Sequence, residues 1–445
     1  VFENLLAQTE AKAALKADLE SGRLPPAILL SGPPASGKMT AALEVARVLS
    51  CGASAHRAAW NCPCSACARH RVLAHPDILL LGARSFPEEI PAGLELLSRA
   101  PSPAAAYFFV RAARKLARRF DAALYEGEEA KLAKAAPLLR ELEECLDFIA
   151  PEKARVPEDS KPGALAPGAL EAAEKIKAAA AKLEAFVPDA PPVFMIRNVE
   201  VWARLAPLGP RKTVIIENAD TMLESSRNAL LKILEEPPQS VRFVLLSSRR
   251  SAIMNTILSR TRVYGFAKRD AAGNELVIER IFRSTEPCPS VESYLAARRP
   301  FPPAVARERA EAFLGAALAA LEDRQDRDAL SLAPPLAPPL AILAKAEVEK
   351  QREGGQGAMA ALLEATKDFG QKDDAYASSF SSFLAALSAR LADLLREEGM
   401  DAAALALVER IAALVREASS ERQALNRNPS LLAESLLYSI GEIGL

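Results

Sequence analysis

AILLSGPPASGKMT, residues 27–40, decides the fold. Ala27 to Ser31 form a short apolar run of the length of a buried strand. Gly32-Pro-Pro-Ala-Ser36-Gly37 follows as a loop, and Lys38-Met39-Thr40 opens a helical pattern, MTAALEVARVLS, that runs to Ser50. Strand, glycine loop, lysine and helix in that order make a phosphate-binding loop. The glycines let backbone N–H groups wrap phosphate oxygens, the helix N-terminus adds positive potential, and the lysine reaches the outer phosphates. Where such a loop holds magnesium, the residue after the lysine is Ser or Thr. Here it is Met39, whose thioether is a poor ligand for a hard cation. Thr40 comes one position late, about 100° further round the helix. Two readings follow: the loop takes ATP with Mg2+ through Thr40, or it keeps the shape of a nucleotide site without the chemistry.

Outward from this loop, TVIIE from Thr213 and RFVLLS from Arg242 bracket the helical stretch SRNALLKILEE. Strand, helix and strand with short connections predict a parallel α/β sheet. Between about 86 and 192 the pattern turns to Ala/Leu/Glu/Lys-rich helices. In EEAKLAKAAPLLRELEECLDFI, Leu132, Leu139, Leu142, Leu146 and Ile149 share one face. The block reads as an insertion, divided into two helical pieces by the Pro-rich, mobile connection PEKARVPEDSKPGALAPG. After Tyr264 the pattern is helical, and the spacer SLAPPLAPPLA from Ser331 separates a middle from a C-terminal helical domain.

Composition agrees with a large, mostly helical globular protein. Of 445 residues 50% are hydrophobic and only 5% aromatic, with Ala, Leu, Glu and Arg dominant, side chains that lose little freedom in helices. A formal net charge of -1 excludes polyanion binding by the whole surface, so any nucleic-acid contact is a local patch or a surface shared in an assembly. The N-terminal VFENLLAQTEAKAALK carries acids and lacks the basic start and apolar centre of a signal peptide, and no run of apolar residues is long enough to span a bilayer. The expectation is a cytoplasmic protein. Cys51, Cys62, Cys64 and Cys67 crowd together while Cys145 and Cys288 stand alone, which suits a metal site in a reducing compartment rather than a disulfide framework. One residue between Cys62 and Cys64 is tight for two ligands of one metal, and His56 and His70 are alternative ligands. Arg111, Arg114, Lys115, Arg118 and Arg119 recur at helical spacing. Such a stripe contacts DNA or an acidic partner, or, with Glu126, Glu128, Glu129, Glu141, Glu143 and Glu144 nearby, forms a solvated, mutually compensating face. The solvated face is the expectation.

The opening FENLLAQTEAKAALKADLESGRLPPAILLSGPPASGK resembles the N-terminus of bacterial clamp-loader subunits, the gamma/tau and delta-prime family of DNA polymerase III. VIIENADTMLESSRNALLKILEEPPQSVRFVLLSS resembles that family's Walker B strand, following helix and sensor strand. TILSRTR looks like its Ser-Arg-Cys motif with Thr261 in place of the cysteine, and LNRNPSLLAESLLYSI is similar to the last helix of its collar. The resemblance covers about residues 1–80 and 195–265, with a weaker match at the C-terminus.

It implies an α/β AAA+ P-loop domain over 1–265, with a zinc module at about 51–75 and the helical insertion at about 86–192. An all-α lid over 266–330 and an all-α collar over 331–445, the oligomerisation domain, complete the expected plan. It implies Zn2+ on Cys51, Cys62, Cys64 and Cys67, and a nucleotide site of Gly32, Ser36, Gly37, Lys38, Met39, Thr40, Glu217, Asn218 and the sensor-strand residue Ser248. Arg260 falls where the family places an arginine finger that reaches the ATP of an adjacent subunit. The motor subunits end the Walker B strand in Asp-Glu, where this chain has Glu217-Asn218, and an amide cannot accept a proton from water. With Met39, two catalytic parts are altered together. The combination, and an ending at the collar without the long tail of tau, resembles delta-prime more than gamma/tau. The partners implied are the gamma/tau and delta subunits, the sliding clamp and primer-template DNA. The competing readings are a gamma/tau-like motor in which Thr40 holds magnesium and Glu217 is the catalytic carboxylate, and a zinc-containing scaffold that acts outside the clamp loader.

Overall fold

The computed structural model describes residues 1–53, 58–82, 88–151, 165–184, 186–188, 190–299, 302–327, 336–345, 377–425 and 429–441. These fall into two compact units, Val1–Ala296 and Ala297–Leu445.

The first unit is built on five strands, β1 (Ala27–Ser31), β2 (Ile78–Gly82), β3 (Lys212–Glu217), β4 (Val241–Ser247) and β5 (Arg262–Gly265), in the order β2-β3-β4-β1-β5. Every pairing is parallel. The strands are near-continuous apolar runs because helices cover both faces of a parallel sheet. Alternate residues divide between two cores. Leu29, Leu79, Leu81, Val214, Ile216, Phe243 and Leu245 face one side. Ile28, Leu30, Ile78, Leu80, Ile215, Val244 and Leu246 face the other, against α1 (Thr9–Glu20) and α2 (Lys38–Ser50). β1, β3 and β4 lie where the apolar runs predict them. The four-residue β5 carries no pattern of its own and is held by its register on β1.

Helices α4 (Glu89–Arg99), α5 (Pro103–Ala117), α6 (Glu129–Ile149), α7 (Ala169–Glu184), α8 (Val193–Arg204) and α9 (Glu224–Glu235) share the first core, with a short α3 (Ser65–Arg71) before β2. The expected insertion over 86–192 is therefore not an appendage. Leu94, Leu97, Phe109 and Val110 of α4 and α5 pack in the same core as Leu79 and Leu81 of the sheet. α6 and α7 pair with each other and pack on α4 and α5, with Leu142, Leu146 and Ile149 buried as the shared face predicts. The connection 152–164 lies outside the described residues, as does the first part of the spacer, 331–335.

After a four-residue α10 (Asn255–Leu258) come α11 (Ala271–Phe282) and α12 (Val291–Ala296), whose Val277, Phe282 and Tyr294 pack with Leu6 and Ala92 of the first unit. The second unit contains α13 (Pro303–Arg327), a helical segment at 338–345, α14 (Ala377–Leu394), α15 (Ala402–Leu425) and α16 (Pro429–Gly441). Phe313 and Leu318 of α13 share its core with Phe383, Ile411 and Ile440, and Phe313 meets Phe383 edge-on at 5.3 Å. The division thus falls between 296 and 297, not at the 331 spacer. Shared burial assigns α13 to the later helices. No helix among the described residues is long and apolar enough to cross a membrane.

Candidate functional site

The phosphate loop joins β1 to α2 at the C-terminal edge of the sheet, the edge where α/β proteins place their ligands. Gly32 donates its N–H to the Ser247 carbonyl at 3.2 Å, tying the loop to the end of β4. Gly37 is left-handed (φ 98°) as the residue before α2, and a side chain there would strike Leu5 at 2.9 Å. Lys38 is buried. Its Nζ donates to the carbonyls of Gly32 and Pro33, both at 2.6 Å, and to Ser36 Oγ at 3.4 Å. Burial pulls its amine down to about 8, against the opposing pull of the carboxylates of Glu217 and Asp220. Arg269, from the segment after β5, holds the outside of the loop by donating to the carbonyls of Ala35 and Ser36. Gln8 clamps the N-terminal segment to Ala267 through both halves of its amide, at 2.8 and 3.0 Å.

Met39 packs half-buried against the hydrophobic core that lines α1 and α2. A thioether packed among apolar groups stands where a metal-binding loop carries a hydroxyl. At the end of β3 the carboxylate of Glu217 is equally committed. It accepts a hydrogen bond from Arg119, the buried last residue of the stripe, just past the end of α5 and 98 positions away in sequence. Asn218, next in line, takes a left-handed conformation (φ 51°), to which Asn is well suited. The second acid of the strand end, Asp220, accepts from Arg249 Nε at 3.1 Å and from the Ser248 N–H at 3.4 Å. Ser248 is exposed, while the preceding Ser247 is buried and accepts from the Arg249 N–H. Thr40 is half-buried in the first turn of α2. With Met39 in the core and Glu217 on Arg119, the side chains here do not fit the magnesium that the resemblance implies.

Arg260 lies beyond α10, away from this chain's own loop in sequence, with its side chain 34% exposed. It donates to Glu235 Oε1 at 2.8 Å and to the Thr256 carbonyl at 3.0 Å. An exposed pair of this kind is worth about 0.2–1 kcal/mol, so the arginine is held in place without being committed.

The four clustered cysteines converge. All four sulfurs lie within 4.8 Å of one another, with Cys51 at 3.9 Å from both Cys62 and Cys64. A tetrahedral shell with metal–sulfur bonds of roughly 2.3 Å spaces its sulfurs at about 3.8 Å, so these residues fit a zinc ion. The single residue between Cys62 and Cys64 is accommodated because Cys64 is extended (ψ 148°) as it caps α3. The neighbourhood suits thiolates: Cys64 accepts from the Cys67 N–H, Cys51 from the Ala58 N–H, and Arg47 Nη1 donates to Cys67 at 3.7 Å. Arg47, paired with Glu44 at 2.7 Å, is one of the largest fully buried side chains. His70 is not a ligand. It is buried, stacked on His75 at 4.3 Å, and both its ring nitrogens lack hydrogen-bond partners. Burial accordingly drives its pKa down to about 2. His56 lies outside the described residues.

The basic stripe is neither a DNA-binding face nor a solvated one. Arg111 donates to the carbonyls of His70 and Arg71, Arg114 to Val72, and Arg118 to Leu73 and His75. These carbonyls lie in the last turn of α3 and in the segment that leads from it to β2, where the regular helical hydrogen bonds have ended. Arg114 also reaches Glu143 at 3.4 Å, and Lys115 pairs with Glu89. α5 and the turn that follows it therefore grip the cysteine module with three arginines and Glu217 with a fourth. Arg114→Met, which keeps the apolar stem, is expected to lower stability by about 1–3 kcal/mol by orphaning the Val72 carbonyl, read as a fall in thermal midpoint.

The architecture and loop define a P-loop AAA+ domain. The model of the family described as DNA polymerase III, delta subunit, matches residues 7–130 and 194–270. A Replication factor C small subunit 1 of Pyrobaculum arsenaticum is 39% identical over 88 residues, 19% of this chain and 27% of that protein. DNA polymerase III subunit delta' of Haemophilus influenzae is 33% identical over 76 residues, 17% of this chain and 23% of that protein. A gamma subunit-related protein of Thermotoga maritima aligns at 19% identity and a TM-score of 0.29, covering 56% of this chain and 79% of that one. Over these segments the chain is similar to clamp-loader AAA+ proteins. The matched segments span only about a quarter of the length of these curated relatives. The match to the family model breaks between 131 and 193, the span of α6 and α7.

Proposed function

We propose that the chain is a delta-prime-like stator of a bacterial replicative clamp loader. It helps to place the sliding clamp on primed DNA by lending Arg260 to the ATP site of a neighbouring subunit. The observation that carries this is the contrast between the two ends of the chemistry. Arg260 stands partly exposed on a single weak ion pair, whereas the chain's own metal positions are taken by Met39 and by the Arg119–Glu217 pair. Arginine suits the donated role because its fork of donors stays charged and matches developing phosphate charge. The partners in this reading are the gamma/tau and delta subunits, the clamp and primer-template DNA, in the cytoplasm. Zinc on the four cysteines stabilises the module and takes no part in the reaction.

A motor role is the second reading, favoured by the longer curated matches to Replication factor C small subunits. The test is ATP turnover, stimulated by clamp and primed DNA, in a reconstituted assembly carrying either Arg260→Ala or Lys38→Ala in this subunit alone. Loss with the first and near-normal turnover with the second supports the stator. The reverse pattern identifies a motor, and failure to assemble with the other subunits identifies a scaffold.

A further inference from the structure

The pair formed by Arg119 and Glu217 is built, not incidental. Arg119 leaves the end of α5, its side chain only 2% exposed, and crosses the C-terminal end of β2 to reach the carboxylate. Gly82, the register partner of Glu217, makes the crossing possible. A Cβ at position 82 would lie 2.5 Å from Arg119 Nη1 and 2.7 Å from the Glu217 carbonyl, closer than such atoms approach. Glu217 and Asp220 are also the two carboxylates whose charge acts most strongly on Lys38, so this pair belongs to the phosphate loop. Asp220 in turn holds Arg249. Each acid at the end of β3 thus carries an arginine of the chain itself. A divalent cation arriving there meets a carboxylate already in use and a guanidinium that repels it, strongly so at short range away from water.

We propose that Arg119 takes the electrostatic place of magnesium beside Glu217, so that the 32–40 loop holds a nucleoside di- or triphosphate free of metal. This rests on the reading of the chain as a subunit that does not hydrolyse ATP. The site it describes is a sensor or structural nucleotide site. The phosphate charge is met by Lys38 and the first N–H groups of α2, and no cation bridges phosphate to Glu217. The bound nucleotide persists because neither attacking water nor metal is positioned.

The test is binding of fluorescent ADP to the full chain, with excess magnesium and with excess EDTA. Affinities within about twofold of each other are expected. A fall of about tenfold or more in EDTA overturns the proposal, and so does the absence of binding in both conditions. The latter leaves the role of Arg260 standing, since that is read from a neighbour's turnover. Two variants sharpen the result. Arg119→Met vacates the cation's place, and affinity is expected to become magnesium-dependent by about tenfold. Glu217→Gln keeps an acceptor for Arg119 and removes a carboxylate that repels phosphate. It is expected to tighten binding to the same degree with and without magnesium, whereas a metal-ligating Glu217 would lose magnesium-supported binding on the same change.

Discussion

A reconstituted clamp loader carrying Arg260→Ala in this subunit is expected to lose on the order of a thousandfold in turnover at the ATP site that the arginine faces. The size follows from what an arginine finger supplies: a fixed positive charge and two parallel donors where charge develops on the transferred phosphoryl group. Arg260→Lys should recover little of it, because an ammonium is a point charge without the planar fork. The loss should not be one of folding. Arg260 is 34% exposed and its partner Glu235 is 53% exposed, so removing the pair is expected to change stability by no more than about 1 kcal/mol. Glu235→Ala separates the roles further: it frees the guanidinium without removing it, and turnover in the assembly should hold. Steady-state ATPase at saturating clamp and primed DNA, beside thermal denaturation of the isolated variants, checks both halves. Unchanged turnover with Arg260→Ala would refute the stator reading.

The second large effect lies at the cysteine module. Purified under reducing conditions, the chain is expected to carry one zinc per molecule, measured by atomic emission. Its removal by a strong chelator should unfold residues 51–75 first. Structural zinc supplies apparent binding free energies of about 10–16 kcal/mol in isolated finger peptides, and here that energy holds a segment with little core of its own. Beyond the four cysteines and Ala58, the module is tied down chiefly by Arg47 beneath it and by Arg111, Arg114 and Arg118 on the end of α3. Those arginines grip carbonyls whose position depends on the module, so loosening should spread to α5. Limited proteolysis should cut within 51–75 in the metal-free chain and leave the metal-bound chain intact there. A metal-free chain with the same midpoint and cleavage pattern would remove zinc from the account.

Local chemistry made much of this protein legible in advance. A strand leading into a glycine loop and a lysine has few other uses, because wrapping phosphate demands that backbone. Three strands announced themselves as apolar runs, since a strand covered on both faces has no polar side to alternate with. Met39, Asn218 and the four cysteines were each visible as residue types at a spacing, and Arg260 through the resemblance of its motif.

What the sequence by itself determined was therefore the catalogue of parts: a P-loop sheet with Met39 after its lysine, a cysteine cluster and helical segments behind them. Tertiary structure alone decided what the parts touch. The arginines of α5 read as a solvated stripe, because helical periodicity records which residues share a face and not what that face meets. Only the fold brings α3 beneath Arg111, Arg114 and Arg118, and only the strand order, with a glycine at position 82, lets Arg119 reach Glu217. The domain boundary behaved the same way. Prolines near 331 mark where a helix must stop, but membership of a unit is settled by which side chains exclude water together, and α13 buries Phe313 and Leu318 with the helices that follow it. Contacts across 98 residues leave no local trace, since their energy is realised only when the chain has closed around them.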